Sequence, residues 1–158
     1  MVRRAASQNL GTLLKNVVNI YGISALAKDG IVASTLLPLY EELSINDQDS
    51  VRLQTSENCI AFGKAVSSVT DESSGGSMEE KSQLLDEIGA SMLVERILPL
   101  VVATIDDRSW RVRWTAASKF AEVVKSFVKL TGALDSLIPA YEKLLQDPEA
   151  EVSYSMNA

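Results

Sequence analysis

Histidine is absent from the 158 residues. That removes the commonest general base, the nucleophilic triads built on imidazole, and zinc sites that use His. Cysteine occurs once, as Cys59, so no intrachain disulfide can form and a reducing compartment, cytoplasm or nucleus, is expected. Aromatic residues make up only 6% of the chain, and Leu, Val, Ala, Ser and Glu dominate, a mix that favours helix packed on helix. No uninterrupted run of 18 apolar residues exists, and the amino terminus lacks a basic start followed by an apolar stretch. Neither a membrane span nor a signal peptide is therefore expected. Glycines pair only at Gly75 and Gly76, inside a Ser-rich polar stretch with no strand before it, so no phosphate-binding loop is read there. Basic charge is also short. The net charge of −6 argues against nucleic acid as the main partner, because phosphate binding needs clustered Lys and Arg.

What is present is a repeat. The segments Leu36 to Leu53, Ile97 to Trp114 and Leu137 to Tyr154 align without a gap. Each has an aliphatic-Pro pair, at Pro38, Pro99 and Pro139, followed thirteen residues later by a valine, at Val51, Val112 and Val152. The unit reads as a helical hairpin: a first helix through the proline, a short turn, and a second helix opened by the valine. After each proline the buried stripe is predicted at Leu39, Tyr40 and Leu43, at Leu100, Val101 and Thr104, and at Ala140, Tyr141 and Leu144. A kink is expected near each proline, which lacks an amide donor and crowds the preceding turn. The turns are rich in Asp, Asn, Ser and Pro, which stop one helix and cap the next.

Apolar or small residues continue along each second helix at helical spacing: Thr55, Cys59, Phe62, Gly63 and Val66 after Val51, and Ala116, Phe120, Val123, Val124 and Phe127 after Val112. Val2, Ala6, Leu10, Leu13, Leu14 and Val17 start in the same register. The organisation predicted is a second helix at 1–20, a repeat at 34–66, a flexible insertion at 67–82, a repeat at 83–130 and an incomplete repeat at 131–158. A shorter insertion is expected near Ile20 to Ser34. Both ends read as cut from a longer array, with self-association expected where neighbouring repeats would pack. The fold class is all-α, an α-solenoid of antiparallel helix hairpins.

The shortest link, from Val112 to Pro139, gives a period of 40 residues, and an Asn or Asp stands six residues before an Arg across the first two turns, as Asn46 with Arg52 and Asp107 with Arg113. This pattern resembles the HEAT repeat. The resemblance implies a ladder in which the acid or amide of one repeat bonds the arginine of its neighbour, with Arg3, Asn46, Arg52, Asp107, Arg113 and Asp147 as its members. Ser153 stands where the third arginine would, so the ladder should weaken there. Helical geometry adds that Arg3, Arg52 and Arg113 follow their valines by one residue, about 100° around the helix at the edge of the core stripe.

In order, MVRRAAS from Met1, DQDSVRL from Asp47, DRSWRVRW from Asp107 and DPEAEV from Asp147 resemble successive turns of the scaffold subunits of protein phosphatase 2A. That resemblance implies a non-catalytic rod without cofactor or metal. It would hold regulatory subunits on the turns present here, and the catalytic subunit on repeats outside this segment, with no role for nucleic acid or membrane. Trp110, beside Arg108 and Arg111, is the expected anchor, since Trp and Arg are enriched at interface hot spots. Arg4, Asp47, Asp49 and Glu149 are further docking candidates on the same ridge. Trp114, one helical turn after Trp110, is expected only to cover the adjacent helix. A rival within the same fold is a nuclear transport receptor or similar adaptor that binds peptides or helices. An enzyme would need an activated Cys59, but this residue lies on the core stripe and reads as a buried structural thiol.

Overall fold

The computed structural model of the chain describes residues 1–71, 77, 79, 83, 87–128 and 130–156, and all regular structure among them is helical. Helix α1 covers Val2–Tyr21 and α2 is the short turn Ile23–Leu26. The first complete hairpin comprises a π-helical stretch Val32–Leu36 running into α3, Leu37–Ser44, then α4, Asp49–Arg52, and α5, Thr55–Asp71. The second comprises a π-helical stretch Ala90–Ile97 leading into α6, Leu98–Ala103, one 3-10 turn Thr104–Asp106, and α7, Trp110–Phe127. The third is α8, Ala133–Leu145, with α9, Ala150–Ser155. The second helices α1, α5, α7 and α9 lie side by side in one layer, and the first helices cover them. This is an all-α helical repeat fold.

Proline sets the distortion of the first helices. Its ring crowds the carbonyl four residues back and it offers no N–H. Immediately before Pro38 and Pro99 the chain widens, so that Leu37 donates to the carbonyl of Val32 and Leu98 to that of Leu93, each five residues back. Pro139 instead sits inside α8.

One continuous core of aliphatic and aromatic residues runs through the units, including Leu10, Leu14, Leu36, Tyr40, Phe62, Ile97, Val101, Phe120, Phe127, Leu137 and Val152. Tyr40 is tilted against Phe62 with ring centroids 5.3 Å apart. The apolar stretch Glu87–Asp106 is long enough to cross a membrane by length and composition, with mean hydropathy 1.8. Glu95 and Arg96 interrupt it, and its Leu93, Ile97, Leu98 and Val101 are buried in the core.

Several details depart from the sequence expectations. The second helix from Val51 is broken at Leu53 and Gln54. Side-chain hydroxyls serve the carbonyls on both sides of the break: Ser7 Oγ donates to Val51 O and Tyr40 OH to Thr55 O, each at 3.0 Å. Val2 is 82% exposed and Leu13 46%, because no described element packs over that side of α1. Tyr141, equivalent to the buried Tyr40, is 41% exposed and only flanks Phe120, with centroids 5.9 Å apart. Helix α5 continues to Asp71, beyond the expected insertion start at Ser67, as Ser67 and Ser68 bond back to the carbonyls of Gly63 and Ala65. Most of the expected insertion, 72–76, 78 and 80–82, lies outside the described residues.

Candidate docking ridge

Three intra-repeat turns share one construction. Asn46 Oδ1 accepts the N–H of Gln48 at 3.1 Å, Asp107 Oδ1 that of Ser109 at 2.8 Å, and Asp147 Oδ1 that of Glu149 at 2.9 Å. The residue before each second helix is extended, with φ and ψ of −80° and 122° at Gln48, −90° and 118° at Ser109, and −85° and 115° at Glu149. Short Asn and Asp side chains favour such turns because they reach a backbone amide two residues on.

Two arginines tie these turns together. Arg52 donates from Nε and Nη2 to the Asp107 carboxylate at 2.6 and 2.8 Å, and from Nη1 to the carbonyls of Asn46 and Asp47 at 2.6 and 2.9 Å. Arg113 repeats the arrangement one unit on. Its Nε and Nη2 reach Asp147 at 2.7 and 3.1 Å, and Nη1 reaches Asp107 O at 2.8 Å. Each arginine thus closes its own turn and holds the next. The forked pair with Asp107 raises the Arg52 pKa, and the one with Asp147 does the same for Arg113. Burial pushes the Asp107 and Asp147 carboxyls up. The arginine bonds and the backbone N–H of Ser109 or Glu149 outweigh it, leaving both below the ordinary carboxylate value.

The remaining ladder candidates are not brought together. Arg3 is exposed and lies 3.7 Å from Glu42, while Asn46 spends its side-chain oxygen on its own turn. An amide lacks the charge that holds a guanidinium, and Glu42 supplies it one turn earlier. Between the first helices of these two hairpins, Arg96 forms a third forked pair, with Glu41, at 2.8 and 2.9 Å. The junction between the first and second hairpins is therefore clamped both at its turns and between its first helices.

Of the docking candidates, Asp47, Asp49 and Arg108 are linked to one another's turns. Arg108 Nη2 donates to Asp47 O at 2.6 Å, and Asp49 Oδ2 accepts from Ser109 Oγ at 3.1 Å. Trp110 remains 39% exposed, with the Arg111 guanidinium 5.3 Å from its ring centroid. Both line a shallow groove of about 490 Å³ together with Leu53, Trp114, Thr115 and Glu151, drawn from three successive units. Trp114, expected only to cover a neighbouring helix, is 44% exposed there. Its four-residue spacing from Trp110 on one helix was the available signal; Leu53 had none, because its position depends on the break after α4. Arg4 and Glu149 are exposed, on α1 and on the third turn.

Cys59 is fully buried, and burial pushes its thiol pKa up, so it is held protonated at neutral pH.

Residues 97–127 match the HEAT repeat family model. The matched HEAT unit contains the second hairpin's proline, its turn and most of α7, and therefore Asp107, Trp110 and Arg113. No curated protein and no solved structure matches the chain. A HEAT unit within an all-α repeat fold is the make-up of a helical scaffold for protein interaction.

Proposed function

We propose that this chain acts as a non-catalytic scaffold of protein phosphatase 2A, its turn ridge docking a regulatory subunit while the catalytic subunit is held on repeats outside this segment, in the cytoplasm. The observation that carries the reading is Trp110. In the turn of the matched HEAT unit, a large aromatic stays 39% exposed over an apolar groove, with an arginine stacked against it. Exposed Trp and Arg in a shallow pocket are the residues that dominate binding energy at protein interfaces. The arginine ladder supports the same role, because it fixes the spacing of successive turns and so presents the ridge preorganised. Among HEAT proteins, the phosphatase scaffold is favoured by the resemblance of the four turn strings, in order from MVRRAAS to DPEAEV, to its successive turns.

The test is capture by the folded chain of purified phosphatase regulatory and catalytic subunits. Retention of a regulatory subunit without the catalytic one is expected. Retention of neither, with helical content intact by circular dichroism, overturns the reading; binding of transport-signal peptides instead favours the adaptor class.

A further inference from the structure

We infer that the outer face of the second-helix layer is a binding site for an extended acidic peptide with a carboxylate at every third residue, held by Lys15, Lys64 and Lys125. Counting from the valine that opens each second helix, at Val2, Val51 and Val112, these three lysines stand at the same place, thirteen residues on. All three are exposed. The repeat has therefore built one basic position per unit, in a row that crosses the helices, on a chain whose net charge is −6. Helix α1 carries no acidic residue at all, and among the described residues no carboxylate pairs with Lys15. Lys64 meets Glu122 only at 3.7 Å, with both side chains well exposed, a contact easily exchanged for another carboxylate.

The surface around the row suits a polypeptide. Between α1 and α5 lies a groove of about 560 Å³, into which Gln8, Asn16, Asn19 and Gln54 bring side-chain amides beside Lys15 and Lys64; Glu57 also lines it, its carboxylate paired with Lys119 at 3.3 Å. An amide offers both a donor and an acceptor, the two groups that an extended backbone leaves unsatisfied.

The spacing selects the ligand conformation. The second helices approach closely: a Cβ at Gly11 would stand 3.1 Å from Ala61 Cβ, and one at Gly63 only 2.6 Å from Ser126 Cβ. Such contacts are those expected of axes at the short end of the usual range of roughly 8–10 Å, and residues at equivalent places on neighbouring parallel helices are then about that far apart. A polyproline II segment advances roughly 9 Å in three residues and returns the same side to the surface. Carboxylates at every third position therefore meet successive lysines, whereas carboxylates at alternate positions do not. This site is separate from the tryptophan groove and independent of the phosphatase reading.

The experiment measures fluorescence anisotropy of two labelled peptides of identical composition, one with glutamate at every third residue and one with the same glutamates at alternate residues. The first is expected to bind about fivefold more tightly, as three weak exposed pairs add. Raised salt should weaken it, and K15Q/K64Q/K125Q should abolish the preference. Should the triple variant melt lower than the parent, K15Q alone, which removes no ion pair among the described residues, is expected to cost about twofold. Equal affinity for the two peptides, no saturable binding, or a preference that survives in both lysine variants overturns the proposal.

Discussion

Arg52 Nε lies 2.6 Å from Asp107 Oδ2, in a pair whose side chains are only 8% and 9% exposed, although the two residues are 55 positions apart in the chain. Removing one member leaves the other charge buried without its partner. Asp107→Ala is expected to lose about 3 kcal/mol of stability, read from urea unfolding. Arg3→Ala, whose ion pair with Glu42 is exposed, should stay within about 0.5 kcal/mol of the parent. Equal losses for the two substitutions would show that the forked geometry does not set the strength of the ladder.

The same pairs fix the response to acid. Asp107 and Asp147 have pKa values below the ordinary carboxylate range, so the unfolded chain takes up their protons first as pH falls. Their contribution is fully present above the unfolded value of about 3.9 and is lost as pH drops through the lower folded values. Melting temperature should therefore hardly change through these groups between pH 8 and 5, and fall below about pH 4. In the double variant R52M/R113M the acid-dependent part of the fall attributable to these two carboxylates should shrink.

At the crossing of α5 and α7, a Cβ on Gly63 would come within 2.6 Å of Ser126 Cβ. Gly63→Ala gains helix propensity but forces the helices apart, with a net loss of about 1 kcal/mol expected. Ser126→Gly in the same chain should remove the clash, so a double-mutant cycle should show coupling, whereas a stabilised G63A would mean that the helices separate freely.

The hydroxyl of Tyr40 donates to Thr55 O beside the break between α4 and α5. Tyr40→Phe keeps the ring against Phe62 and removes only that bond, which should cost about 1 kcal/mol and raise amide exchange around Leu53 to Cys59. Unchanged exchange there would assign the break to other contacts.

The fold class was legible because proline and valine recur at a fixed spacing, and a hairpin with one buried stripe per helix has few ways to pack. The edge positions of Arg52 and Arg113 were also readable, since one residue past an inward valine is the edge of the stripe. The break at Leu53 was not. Beside it lie hydroxyls from Ser7 and Tyr40, residues distant in sequence that donate to carbonyls of the second helix. For the same reason the groove that joins Leu53 to Trp110 and Trp114 could not be assembled from spacing alone. Arg3 was placed opposite Asn46 by register, but a charged neighbour, Glu42, competes better for a guanidinium than an amide does. Tyr141 shows the reverse limit: its position in the repeat matches Tyr40, and its exposure differs because burial is decided by the neighbouring unit.

The scaffold reading rests most directly on Trp110. Isothermal titration of a phosphatase 2A regulatory subunit with the parent chain and with Trp110→Ala measures it. The substitution should weaken binding by at least about 2 kcal/mol, near thirtyfold in Kd, while the melting temperature stays the same. Equal affinity for the two proteins, or no binding to the folded parent, would contradict it.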